Sequence, residues 1–269
     1  MKCFGKTAFL AVASVFFLVV QAQAISITFG GAEATQGGLA AGLTSSRSGI
    51  TANGNTADES LGWYIETFDK VDEQGKVTGG FTTLDQDKLT IDGGIAFWNA
   101  SETGVNAAPA GDVTFHAFTP EKGGTLPASV YVPNTAYNAY DSANPKYIDY
   151  MGLYFGSVDL YNSIAFYTSD GKEHVLTGEY ILSQHPDSVS GNQLSLLSNV
   201  YVNLDFDFAN GEIFTAFELR TGAVALEIDN IVTHVTKAPD QVSTVPEPAT
   251  MLLFGIGLLG LAGVSRKKQ

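Results

Sequence analysis

Tyr201-Val202-Asn203-Leu204-Asp205-Phe206-Asp207-Phe208 is the stretch whose reading settles the fold class. Successive side chains of an extended chain point to opposite faces. Val202, Leu204, Phe206 and Phe208 therefore share one face, and Asn203, Asp205 and Asp207 the other. A helix would scatter the four apolar residues around its circumference. The pattern predicts a strand with its apolar face on a core and its polar face in solvent.

Outward from this strand, short runs rich in β-branched and aromatic residues recur, broken by Gly, Asn and Asp. They cover residues 62–68, 89–91, 95–98, 113–118, 147–155, 163–168, 173–176, 200–208, 212–220 and 224–235. No stretch of the body has a helical period. Turn chemistry predicts three hairpins: Ser169-Asp170-Gly171 between 164–167 and 173–176, Asn210-Gly211 between 202–208 and 213–219, and Thr221-Gly222 leading into 224–235. Asn-Gly and Asp-Gly favour such turns because both central residues of a type I′ turn need positive φ. About ten antiparallel strands predict an all-β fold, a two-sheet sandwich of jelly-roll type. Residues 30–55, dominated by Gly, Ala, Ser and Thr, are expected to be loop with at most one strand.

The N-terminus carries Lys2 and Lys6, an apolar run over 8–20, and then Ala22-Gln23-Ala24. A cationic segment, a short apolar segment and a small-residue site in this order predict a signal peptide over 1–24, cleaved after Ala24. The sole cysteine, Cys3, lies in that segment, so the exported chain has no thiol, and its stability must come from a core. The exported domain is expected over 25–235, with a polar, aperiodic linker over 236–244.

Fourteen Lys and Arg against 28 Asp and Glu give a net charge of −14, and five of those bases lie in the terminal segments. So acidic a body repels phosphate backbones, which excludes nucleic acid as a partner.

The last residues read Val245-Pro246-Glu247-Pro248, an uncharged stretch over 251–264, then Arg266-Lys267-Lys268. The prolines fix φ and restrict the residues before them, so the segment is extended and protruding. As a helix, 251–264 reaches about 21 Å, short of a bilayer core of about 30 Å. Its composition still favours membrane, because Gly255, Gly257, Gly260 and Gly263 would weaken a water-exposed helix and are tolerated in lipid. The positive charges after the span keep the C-terminus cytoplasmic.

At these residues the chain resembles the PEP-CTERM proteins of Gram-negative bacteria. Their sorting signal, spanning 245–269 here, combines a Pro-Glu-Pro motif (246–248), a single transmembrane helix (251–264) and a basic tail (266–268). The resemblance implies processing by an exosortase, a polytopic membrane peptidase, in cells that make an exopolysaccharide matrix. Pro246, Glu247 and Pro248 are then substrate features, Arg266, Lys267 and Lys268 hold the end inside, and the body is exported, transiently anchored and passed to the cell surface or exterior.

Gly156-Ser157-Val158-Asp159-Leu160-Tyr161-Asn162, with Leu226-Glu227-Ile228-Asp229-Asn230-Ile231 downstream, is similar to a recurrent domain of exosortase-dependent surface proteins. There a Gly-Ser-Val-Asp-x-Tyr-Asn turn precedes a Phe-Tyr strand, and a Phe-Glu-x-Asp-Asn-Ile strand closes the domain; Leu226 replaces that Phe. The closing strand also resembles the last strand of carbohydrate-binding jelly rolls, where an acid helps hold calcium. By that likeness Asp229 would be a Ca²⁺ ligand with Glu33 as partner; Asp229 bonded to backbone amides is the alternative.

His116, His174, His185 and His234 fall in no metal-ligand spacing, and no nucleophile, phosphate-loop or dinucleotide motif is present. Asp85 and Asp87, like Asp205 and Asp207, would sit side by side on a strand, unlike the opposed carboxylates of a glycosidase. The reading is a non-catalytic surface or matrix protein with a carbohydrate-binding role, associated with exopolysaccharide or biofilm. The alternatives are an extracellular glycan hydrolase and a permanently anchored structural protein.

Overall fold

The computed structural model describes residues 25–70, 81–82, 88–89, 94–133, 146–184, 186–207 and 212–237. The expected signal peptide with Ala22 and Ala24, Asp85, Asp87, Phe208, Asn210-Gly211 and the whole sorting signal lie outside them. The strands in chain order are β1 (Ile25–Phe29), β2 (Ala32–Gln36), β3 (Leu39–Thr44), β4 (Ile50–Thr51), β5 (Thr56–Ala57), β6 (Trp63–Glu66), β7 (Phe81–Thr82), β8 (Lys88–Leu89) and β9 (Ala96–Trp98). After them come β10 (His116–Thr119), β11 (Ala128–Pro133), β12 (Lys146–Gly156), β13 (Asn162–Thr168), β14 (Glu173–Thr177), a six-residue helix α1 (Gly178–Ser183), β15 (Val200–Phe206), β16 (Phe214–Thr221) and β17 (Leu226–Lys237). The named strands pair antiparallel throughout, as the turn-rich sequence predicts.

A seven-stranded sheet runs β1-β15-β12-β17-β10-β9, and β6 joins it on β17. A four-stranded sheet runs β11-β16-β13-β14. Strand β17 is 12 residues long, so one edge serves β12 while the other is shared by β10 at 226–228 and β6 at 231–234. The main apolar cluster draws on both sheets: Val130, Val132, Ile164, Phe166, Phe214, Phe217 and Leu219 from the smaller, Met151, Leu153, Phe155, Val202, Leu204, Leu226 and Ile228 from the larger. Each fully buried side chain of this size contributes about 1.5–3 kcal/mol.

Strand β15 bears out the opening reading in part. Val202, Leu204 and Phe206 are buried in that cluster. The opposite face is not left to solvent: Tyr201 and Asn203 are buried too, because β2 to β6 cover it. There Tyr150, Tyr154, Tyr201 and Val232 form a second cluster with Leu43, Ile50, Trp63 and Ile65. Residues 30–55 thus hold three strands, where loop was expected; small residues let this layer lie close, and a Cβ on Gly31 would meet the Thr44 carbonyl at 2.4 Å.

Of the three predicted hairpins, only Ser169-Asp170-Gly171 forms, joining β13 to β14. Strand β15 pairs with β1 and β12, whereas β16 pairs with β11 and β13, so the strands on either side of Asn210-Gly211, itself outside the described residues, belong to different sheets. The Thr221-Gly222 turn likewise leads from β16 in one sheet to β17 in the other. Turn residues permit a reversal without saying whether the two strands end side by side or face to face. The body also extends two residues past its expected end, since β17 includes Thr236 and Lys237. Among the described residues no helix is long and apolar enough to cross a membrane; the 251–264 stretch lies outside them.

Candidate functional site

The turn between β12 and β13 and the start of β17, the two stretches singled out in the sequence, meet at one end of the sheets. Ser157, Asp159 and Tyr161 from the turn, Val224 and Ala225 just before β17 and Glu227 within it line an open cavity of ≈ 440 Å³. Residues 101–107 and the 190–193 loop complete it, and no Lys, Arg or His is among the lining residues.

Each element is pinned by local chemistry. Asn199, fully buried, accepts the backbone N–H groups of Ser157 (2.7 Å) and Ala110 (3.0 Å) on its Oδ1 and donates from Nδ2 to the carbonyls of Asn192 and Ser195 (both 2.9 Å). One side chain therefore joins three walls. Asp159 accepts from Ser190 Oγ (2.9 Å) and from the Tyr161 hydroxyl (2.6 Å). Gly191, at φ +67°, lies so close to Asp159 that a Cβ would come within 2.7 Å of Oδ1. Burial, and then the Asp159 carboxylate, push the Tyr161 phenol upward, so it stays a hydrogen-bond donor.

Glu227 forms the floor at 1% exposure. Its Oε1 accepts the Ala107 N–H (2.8 Å) and its Oε2 the Ser157 hydroxyl (2.8 Å). Burial outweighs these bonds and pushes the carboxyl up to about 7, with Asp159 adding to the rise. The arrangement offers hydroxyls, carboxylate oxygens and amides beside the half-exposed Tyr161 ring. That combination suits a neutral polyol, with polar edges to be hydrogen-bonded and a face to be stacked.

Asp229, the predicted calcium ligand, lies on the same face two residues further along β17, completely buried. The acids acting on it are Asp112 and Asp69, whereas Glu33 is exposed on β2, opposite Leu43. Both oxygens of Asp229 and Oδ2 of Asp112 and of Asp69 lack a well-formed hydrogen bond. Burial pushes Asp229 well above the usual carboxylate range, and Asp112 and Asp69 push it further against the pull of the Asn230 N–H. Asp112 is raised as well, and Asp69 rises to about 6. Burial and the neighbouring acids therefore bias Asp229 toward its protonated form. Among the described residues no group of three or more His, Cys, Asp or Glu is arranged to hold a metal ion.

The neighbouring Asn230 is a fastener, in the left-handed region at φ 47°. Its Nδ2 donates to the carbonyls of Ala41 (2.5 Å) and Leu43 (3.0 Å), and its Oδ1 accepts from Asn55 (2.6 Å). These bonds tie β17 to the N-terminal layer. Sequence reasoning chose Asp229 from this strand and passed over Glu227. Alternation puts both on one face, and the only signal separating them was that Glu227 lies nearer the strand's start, where the Ser157 turn can reach it.

Residues 244–267 match the family model of the PEP-CTERM protein-sorting motif. No curated protein and no solved structure matches the chain.

Proposed function

We propose that the protein is an exported surface or extracellular-matrix protein, processed by an exosortase-type membrane peptidase, whose jelly-roll-like two-sheet body binds carbohydrate without catalysis through the Glu227–Tyr161 cavity. Delivery rests on the sorting motif at 244–267, which supports exosortase-dependent sorting of an exported protein. The shared apolar cluster of the two sheets supports the sandwich, and the cation-free polar cavity with its aromatic rim supports the ligand class.

The geometry suits such delivery. Strand β17 extends about 36 Å from the cavity end to Lys237, at ~3.3 Å per residue, and the chain continues toward the motif from that far end. While the C-terminal segment holds the protein in the bilayer, the anchor keeps the motif in the plane of the peptidase, raising its effective concentration.

Replacing Pro246, Glu247 and Pro248 together by Ala is expected to leave an uncleaved, cell-retained species; intact mass of cell and medium fractions reads this. Normal release of that variant would overturn the delivery. One feature favours the hydrolase reading: burial pushes the Glu227 carboxyl up to about 7 beside Asp159. Both of its oxygens are engaged by Ala107 and Ser157, which suits a positioning group. Saturable glycan binding without shortened products is the expected result, and product release would favour the hydrolase.

A further inference from the structure

The cavity does not end at Tyr161. On its other side Tyr161 lines a second, shallower depression of ≈ 280 Å³ with Pro127, Ala128, Ser129, Arg220, Thr221 and Gly222. Two of these, Ser129 and Arg220, are paired across β11 and β16 on the outer face of the four-stranded sheet. Two residues along, that face carries Tyr131 and Glu218, and further on Tyr167 of β13, whose ring centroid is 5.7 Å from that of Tyr131.

The polar groups between the rings are locked in place. Arg220 makes ion pairs with Glu218 and Glu173, the latter at 2.7 Å. Tyr167 donates its hydroxyl proton to Glu218 (2.7 Å), and the Ser129 hydroxyl also bonds Glu218. The lone guanidinium is thus neutralised by two carboxylates. Tyr131 stays exposed at 53% and Tyr161 at 39%. From Tyr161 to Tyr167 the strand covers six residues, about 20 Å at the usual rise.

Resting on the carbohydrate reading above, we infer that the ligand is the extended chain of a neutral polysaccharide, bound from the terminal cavity over Tyr161 and across the outer face of the four-stranded sheet to Tyr131 and Tyr167. A small sugar would need the cavity alone. A strip with an aromatic ring at each end and fixed hydroxyls, carboxylates and a guanidinium between them fits a polymer whose rings stack and whose hydroxyls bond along its length. Asp159 at one end, with Glu218 and Glu173 outweighing the charge of Arg220 at the other, leave the path acidic. A polymer of uronates or sulfate esters would be repelled.

The test is affinity electrophoresis of the purified protein in gels containing hydroxyethylcellulose, galactomannan, dextran or alginate, with calorimetry against the disaccharide of whichever neutral polymer retards it. Tyr131→Ala, at an exposed position, is expected to weaken polymer binding about 3- to 10-fold, the size of a lost aromatic contact, and to leave the disaccharide unaffected. Tyr161→Ala is expected to weaken both, and Tyr161→Phe, which keeps the ring, to retain most of the binding. If Tyr131→Ala has no effect while Tyr161→Ala removes binding to both ligands, the strip is overturned and the cavity reading stands. Stronger retardation by alginate than by any neutral polymer overturns the neutral class. Retardation by none of the four sinks the strip and the cavity together.

Discussion

The two faces of the seven-stranded sheet are buried by different chemistry. Against the four-stranded sheet lie Met151, Leu153, Phe155, Leu226 and Ile228, packed on Phe166 and Phe217 with hardly a polar atom. Under the N-terminal layer and the 99–115 segment the same strands bury Tyr150, Tyr154 and Tyr201 together with Asp229, Glu227 and Asn203. The first face is held by area removed from water, which is indifferent to pH. The second is held by hydrogen bonds and contains carboxyls whose protonated form burial favours, so the molecule's pH sensitivity is concentrated there.

The largest effect is expected on the apolar side. Phe217→Ala empties a fully buried position between β11 and β13 and is expected to cost about 3–5 kcal/mol, equally at pH 5 and pH 8, as read by thermal or denaturant unfolding. A pH-dependent loss would mean that the two faces are not independent.

On the polar side the sign is reversed by acid. Glu227 is raised from an ordinary 4.5 to about 7 in the fold, so its contribution is complete below pH 4.5 and is lost as pH rises through 7. Asp69, raised to about 6, and Asp229 and Asp112 act in the same direction. The protein is therefore expected to gain stability between pH 8 and pH 5. Asp170, held near 2 by Lys172, contributes the opposite slope below the ordinary carboxylate range, and buried His116, lowered from 6.5 to about 4, takes back part of the gain as pH falls below 6.5. Glu227→Gln cannot ionise and should be more stable than the parent at pH 8 by on the order of 3 kcal/mol, with little difference at pH 5. Equal melting temperatures of the two proteins at pH 8 would contradict the buried neutral acid. Asp229→Asn should shift stability with the same sign, and millimolar calcium should leave the parent's melting temperature unchanged. A calcium-dependent rise at pH 8 that Asp229→Asn removes would instead place a cation among Asp229, Asp112 and Asp69.

The smallest effect sharpens the role of the tyrosines. The Tyr150 hydroxyl bonds Ser45 Oγ (2.7 Å) and Asn203 Oδ1 (2.6 Å), both buried. Tyr150→Phe leaves those partners short of a bond and is expected to cost about 1–2 kcal/mol with no pH dependence between 5 and 8. A stability change near zero would show that the N-terminal layer is held by packing alone.

What the sequence by itself determined is whatever depends on neighbours along the chain. Alternation in 200–206 specifies a strand and its apolar face, Ser169-Asp170-Gly171 specifies a hairpin, and Pro246-Glu247-Pro248 with its greasy stretch and basic tip specifies the sorting signal. Each is a local matter of φ, side-chain period or charge next to a span. Tertiary structure decided what depends on partners far away. Whether β15 and β16 pair or face each other, whether the Asn203 face is wet, and which acid of Glu227-Ile228-Asp229 reaches a cavity turn on segments far away along the chain, Ser157 and the N-terminal layer among them. Alternation names a face without naming what covers it, because burial is a property of the assembled layers and not of the strand.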